Sequence, residues 1–263
     1  MARESLRWVG IAALGVTFAA LGVLVAAWAT PPPEQPVADP VVVSVTTTAT
    51  AHPSPSAAPV VSPAGVDLAS HSIDDPASIW VVVNKNRPLS PLEYTPSDLT
   101  GDNVPGAGEL TQTASQALEM MYAAANEAGA PFLVSTAFRS YNFQKGIFAQ
   151  YVQTSGVEGA ETYSARPGFS EHQTGLATDL YDPSGCHLKA CFAQTPSGKW
   201  LAKHAADFGF IERYPDGESG VTGYTWEPWH WRYVGSDLAK YMRDAKIATL
   251  EEVFDLPAAP DYD

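Results

Sequence analysis

Nine of the chain's 22 prolines fall between Pro31 and Pro63, within a stretch of Pro, Ala, Val, Thr and Ser that is almost free of aromatic residues. Proline fixes φ and has no backbone N–H to donate, so such a segment holds neither a sheet ladder nor a helix and should act as a semi-extended tether. At roughly 3.1 Å per residue it could reach on the order of 100 Å. Ahead of it, Trp8 to Ala29 is an uncharged apolar run, preceded by Arg3 and Arg7 and followed by no Lys or Arg until Lys85. A helix of that length spans the roughly 30 Å hydrocarbon core of a bilayer. Basic residues on its N-terminal side predict a cytoplasmic N-terminus and an exported remainder. Cleavage is the rival, since Ala27-Trp28-Ala29 is an A-x-A site, although the run is longer than the about 7–15 apolar residues of a signal peptide. A buried core helix is the third reading, and the adjoining linker speaks against it. The expected layout is an anchor or signal segment over 1–30, a linker over 31–75 and a folded domain over 76–263. That domain should be held outside the cytoplasm by a single-pass transmembrane helix, or secreted after cleavage.

With 45% hydrophobic residues and 17% charged ones, the chain is neither disordered throughout nor a polytopic membrane protein. Its net charge of -14 argues against a nucleic-acid partner, because a phosphate backbone attracts a basic surface. The folded part is itself acidic, with 13 basic and 23 acidic residues beyond position 75. A domain of about 190 residues can bury roughly 70% of its unfolded-chain surface. Two cysteines are too few to staple a small fold, so an apolar core must hold it. In an exported chain, Cys186 and Cys191 are expected to close a small surface loop as a disulfide, with a metal site using His187 or free thiols as alternatives.

Beyond position 76 the patterns alternate between helix and strand. Trp80 to Val83 is a β-branched run read as a strand. Thr113 to Gln116 reads as a capping box, followed by Ala117, Leu118, Met120, Met121, Ala124 and Ala125 at helical spacing and by Gly129 as a closing residue. Phe132 to Phe138 is expected to be a strand and Phe143 to Gln153 a second helix. Further strands are expected at Leu176–Tyr181, Phe210–Tyr214 and Trp229–Val234, with helices over Ser197–Phe208 and from Ser236 to about Phe254. Helices come first and most strands later, which predicts an α+β domain with an antiparallel sheet.

Three segments carry candidate chemistry. In Ser170-Glu-His172-Gln-Thr-Gly175-Leu-Ala177-Thr-Asp179, an imidazole and a carboxylate suit zinc, and strand alternation turns Ala177 and Asp179 to one face. Gly175 allows the bend that would bring His172 toward Asp179. Alone, this spacing is a weak signal. In Glu227-Pro-Trp-His230-Trp-Arg232-Tyr-Val-Gly235, alternation places Trp229, Trp231 and Tyr233 on a core-facing side and His230 opposite. His230 as a third ligand leaves a position open for water, and Glu227 could take a proton from that water. In Ala137-Phe138-Arg139-Ser140-Tyr-Asn-Phe-Gln144, a strand-end Arg139 could face a developing oxyanion or a substrate carboxylate, or serve as an ordinary surface ion-pair residue.

Together these segments resemble the VanY-type zinc D-alanyl-D-alanine carboxypeptidases. Ser170 to Asp179 matches S-x-H-x-x-G-x-A-x-D, and Glu227 to Gly235 matches E-x-W-H-x-R-Y-V-G. Arg139, Ser140 and Gln144 match R-S-x-x-x-Q, and Asn84 to Leu89 matches an N-K-x-x-P-L opening. The resemblance covers about residues 78–255. It implies a mixed α+β zinc peptidase acting on peptidoglycan stem peptides, with His172, Asp179 and His230 on zinc and Glu227 as the base. It further implies that Arg139 stabilises the transition state and that Gln144 and Ser170 belong to the substrate pocket. Phe138 departs from the pattern, where Tyr is frequent. A clamp for the substrate's free carboxylate is also required, for which Ser170, Gln144 and Arg232 are candidates.

The expected function is zinc-dependent D,D-carboxypeptidase action on pentapeptide stems by a monomer tethered to the membrane. L,D-carboxypeptidase or endopeptidase activity on the same scaffold, and a wall-binding zinc module without activity, are the alternatives. A purely structural zinc site needs four protein ligands and no base, so Glu227 argues against the last. His52, His71, His187 and His204 read as surface residues.

Overall fold

Apolar residues at helical and strand spacing beyond position 76 condense around one antiparallel sheet. A computed structural model describes residues 65–263 apart from Ala107. The expected membrane segment at Trp8–Ala29, His52 and most of the expected linker lie outside the described residues. Among the described residues no helix is long and apolar enough to cross a membrane. The described chain already packs at Val66, Leu68 and Ile73, ahead of position 76.

The strands are β1 (Leu99–Gly101), β2 (Glu109–Thr111), β3 (Leu133–Thr136), β4 (Ala177–Tyr181), β5 (Phe210–Glu212) and β6 (His230–Tyr233). The helices are α1 (Gln112–Glu127), α2 (Tyr141–Glu161), α3 (Pro196–His204), α4 (Ser219–Thr222), α5 (Ser236–Ala245) and α6 (Leu250–Val253). The expected α+β class is present: β3-β4-β6-β5 form a four-stranded sheet whose neighbours all run antiparallel, and β1 and β2 form a separate antiparallel pair.

Adjacent residues of a strand point to opposite faces, and here each face meets its own core. Phe210 joins Leu118, Met121, Leu180, Leu201 and Trp231 in the first core. Its neighbour Ile211 joins Trp80, Val82, Leu238, Met242 and Leu250 in the second. Each face of the sheet thus packs on an apolar cluster, and the face that carries Ile211 also carries Arg232, His230 and Asp179.

Several element ends differ from the sequence expectation. The run Trp80–Val83 is buried but forms no strand. Its Val81 carbonyl instead accepts from Arg232 at 2.9 Å, while Arg87 donates to the Val82 carbonyl at 3.2 Å, so side chains replace a ladder. The expected capping box at Thr113 is inside the helix, whose N-cap residue is Thr111, and that end has no side-chain cap. Gly129, at φ 73, does follow the helix end. Helix α2 is longer than expected because it continues past a kink at Gly156, where φ is 73 and ψ 172. The disulfide Cys186–Cys191 is present.

Candidate metal centre

The cross-strand register of β4 and β6 sets the site. Asp179 and His230 are directly opposed partners, so their side chains rise from the same face within reach of each other. His172 arrives from a 3₁₀ turn over Glu171–Thr174, which ends in Gly175 with a left-handed φ of 67. That turn swings the chain directly into β4. It is tied to the end of β3, because the Arg139 N–H donates to the His172 carbonyl at 3.2 Å.

His172 donates from Nδ1 to the Ala137 carbonyl at 2.7 Å, which leaves Nε2 as a lone pair. That Nε2 lies 3.3 Å from Asp179 Oδ2. His230 turns Nδ1 toward Asp179 Oδ1 at 3.2 Å and toward Glu227 Oε2 at 3.8 Å. Ligand atoms of His172, Asp179 and His230 all lie within 4.8 Å of one another, and all three residues are buried. His172 Nε2 and Asp179 Oδ1 are buried without a hydrogen-bond partner. Lone pairs aimed at one buried point repel unless a cation answers them, so these three residues fit a divalent metal.

The charge states follow from burial and from neighbours. Burial disfavours charge on His172, and nearby Arg139 adds to this, so its pKa falls to about 4 despite Asp179. Burial also opposes charge on His230, but the Asp179 and Glu171 carboxylates facing its two ring nitrogens outweigh it and raise the pKa to about 9. Asp179, although buried, is held well below the usual carboxylate range by His172 and His230. Glu227 is pushed up to about 8 by burial, against the pull of His230.

Behind His230 lies a charged cluster that sequence reasoning missed. Glu171 Oε2 faces His230 Nε2 at 3.5 Å, and Glu171 Oε1 accepts from Arg213 and Arg232, each at 2.8 Å. Glu251 accepts two bonds from Arg213, at 2.9 and 2.7 Å, and one from Asn84 at 2.9 Å. Arg213, Arg232, Glu171 and Glu251 are all fully buried. The two guanidiniums hold Glu171 well below its ordinary pKa despite its burial. Glu171 is thus a fixed anion that orients His230 from behind, as outer carboxylates orient metal-bound histidines.

The site opens into a cleft of about 270 Å³ lined by Arg139, Ser170, Glu227 and Trp229 besides the three candidate ligands. Arg139 Nε is buried there without a partner. Two residues from the expected pocket lie elsewhere. Arg232 is committed to Glu171 and to the Ile79 and Val81 carbonyls, so it offers no clamp for a substrate carboxylate. Gln144 is buried and does not line the cleft; its amide donates to Ser164 Oγ at 3.3 Å and to the Ala165 carbonyl at 2.7 Å, holding two residues that do. Trp229, read as core, also lines the cleft, whereas Trp231 is core. His71, His187 and His204 lie outside the cluster, His187 bonding Ser135 Oγ at 2.7 Å.

The chain is similar to known carboxypeptidases. The VanY family model, described as D-alanyl-D-alanine carboxypeptidase, matches residues 107–236. YodJ of Bacillus subtilis strain 168, named as a carboxypeptidase, is 40% identical over 192 residues, covering 70% of each chain. The solved structure of the LdcB LD-carboxypeptidase is similar with a TM-score of 0.65 and 39% identity, covering 68% of this chain and 87% of that one. A mutant of the vancomycin-resistance D,D-pentapeptidase VanY, solved with Zn(II), gives a TM-score of 0.57 at 29% identity, covering 66% of this chain and 97% of that one.

Proposed function

Because this chain belongs to the VanY family of D-alanyl-D-alanine carboxypeptidases, we propose that it is a zinc-dependent D,D-carboxypeptidase that removes the C-terminal D-Ala from peptidoglycan stem pentapeptides. The observation that carries this reading is the convergence of unpaired ligand atoms on His172, Asp179 and His230 beside Glu227.

His172, Asp179 and His230 would hold the zinc and leave a coordination position open, as a catalytic site requires. A zinc ion held there would act as a Lewis acid on the scissile carbonyl and lower the pKa of the attacking water. Glu227 takes the proton from that water and returns it to the leaving amine. A cation beside Glu227 favours its carboxylate form, offsetting the burial that keeps it protonated in the metal-free protein. Arg139 brings a fixed cation to the cleft wall and stabilises the oxyanion. Ser170 lines the same cleft and is offered to the substrate's terminal carboxylate. The net charge of -14 repels an anionic peptide end, so capture relies on these local groups rather than on the field of the whole protein.

The test is cleavage by the full chain of a pentapeptide ending in D-Ala-D-Ala and of the tetrapeptide one residue shorter, followed by mass spectrometry. Loss of one alanine from the pentapeptide, abolished by a chelator and restored by zinc, is the expected result. Glu227→Gln should lower turnover by about 10²–10⁴-fold and still bind zinc. An uncut pentapeptide rejects the proposal. One observation favours a second reading, L,D-carboxypeptidase action: identity to LdcB is 39%, against 29% to the D,D-pentapeptidase. Cleavage of the tetrapeptide alone would select it.

The same proposal places the domain outside the cytoplasm on a membrane tether, supported by the apolar run Trp8–Ala29 and the prolines that follow it. Membrane fractionation of the full chain should recover it with the bilayer, and a wholly soluble product would reject the tether.

A further inference from the structure

Leu188 sits in the loop closed by Cys186–Cys191, is 39% exposed, and lines the cleft that holds the metal cluster. Its backbone is left-handed, at φ 48, and so is that of Cys186, at φ 59. L-residues with a Cβ are disfavoured there, because the side chain crowds its own carbonyl. Such a conformation persists only where the surroundings impose it, and these outliers gather at functional sites.

The surroundings do impose it. The disulfide closes the turn, and His187, between the two left-handed residues, bonds Ser135 Oγ at 2.7 Å and packs edge-on against Tyr181. At the base of the turn, Asp182 accepts from the Ser184 N–H at 2.8 Å and from Ser197 Oγ at 2.7 Å. All of this rigid support holds an apolar side chain out of the core and beside the cleft. Neither core cluster includes Leu188, so packing does not account for its placement.

Depth within the cleft says what it meets. His172, Asp179 and His230 are at most 5% exposed, whereas Leu188, Tyr151 and Tyr163 are 39%, 37% and 37% exposed. An enzyme that trims a chain end takes that end to the buried metal, so the peptide upstream leaves past the exposed lining. We propose that Leu188 is a specificity-determining residue that packs on the aliphatic part of the stem-peptide residue preceding the terminal D-Ala pair. This rests on the carboxypeptidase reading above.

The test is steady-state kinetics of the full chain on two substrates, the pentapeptide and an N-acetylated D-Ala-D-Ala dipeptide that lacks the upstream residue. Leu188→Ala keeps the disulfide and should raise KM for the pentapeptide by about tenfold, the scale of one lost aliphatic contact, with kcat unchanged. Its constants for the dipeptide should match wild type, and Leu188→Met should recover the pentapeptide KM. Replacing both Cys186 and Cys191 by Ser should act in the same direction as Leu188→Ala. Equal changes on both substrates, or no change on either, overturn the assignment to Leu188. Cleavage of neither substrate by the wild type instead overturns the D,D-carboxypeptidase reading, and this proposal with it.

Discussion

Glu171 shows how much of a site one residue can decide. It precedes His172 in the chain, yet it supports His230, through Oε2 at 3.5 Å, while its other oxygen joins two buried guanidiniums. Glu171→Gln would leave Arg213 and Arg232 with Glu251 as their one remaining anion in the cluster. Breaking a buried ion pair costs about 3–5 kcal/mol, and losing an outer partner of a metal ligand weakens the metal by about 10–100-fold. Denaturant unfolding and a zinc titration should show both losses; wild-type values in both would remove Glu171 from the site. The candidate ligands and Glu227 were legible in the sequence chiefly through the motifs that match a family pattern, since alternation speaks only for Asp179 and His230, and His172 and Glu227 lie outside the strands. Glu171 was not. Its arginine partners lie 42 and 61 positions away, and no local pattern pairs them. Gln144 was legible as a motif residue but not in its placement, since only the fold shows that it supports Ser164 and Ala165 from beneath.

At the scale of elements, the sequence located the four strands of the main sheet and most helices, and it erred at their ends. Periodicity reports which face is buried; it does not report where backbone pairing stops. Trp80–Val83 has the composition of a strand, but its carbonyls are taken by Arg87 and Arg232. The short pair β1–β2 carried no signal, since each strand has only three residues. Helix α3 depends on a contact that spacing cannot reveal. A Cβ on Gly198 would stand 2.1 Å from the Phe192 carbonyl oxygen, so helix and preceding turn touch through bare backbone. Gly198→Ala should therefore destabilise the fold by about 1–3 kcal/mol, although alanine is the better helix former. A gain in the thermal midpoint would contradict this contact.

For the whole molecule, the cluster behind the metal joins distant parts of the chain. Asn84 near the start of the domain donates to Glu251 near its end, and Glu251 pairs with Arg213, which also holds Glu171. Over the range in which Glu227 and His230 titrate, stability of the metal-free protein and metal affinity should move in opposite directions with pH. Glu227 and His230 titrate above their ordinary values of 4.5 and 6.5, at about 8 and about 9, so folding of the metal-free protein favours their protonated forms. That contribution is complete below each ordinary value and is lost as pH rises through about 8 and about 9. His172, lowered to about 4 from 6.5, acts oppositely, and its contribution is lost only below 6.5. Zinc requires deprotonated ligands, so the rise in thermal midpoint on adding zinc should grow between pH 6.5 and about 9. Calorimetry with and without zinc across that range checks it, and a shift that shrinks with pH would refute it.

The sequence by itself determined the chemistry of this protein: two histidines, an aspartate and a glutamate in strand and turn contexts, an acidic exterior, and apolar periodicities sufficient for an α+β core. These are local properties, fixed by residue type and by spacings of a few residues. Tertiary structure alone decided which groups support that chemistry. It paired Asp179 with His230 across two strands, sent Arg232 to Glu171 instead of the cleft, and brought Leu188 to the cleft lining. The physical reason is that charge pairing and burial depend on distances in space, and residues far apart along the chain become neighbours only when the sheet closes.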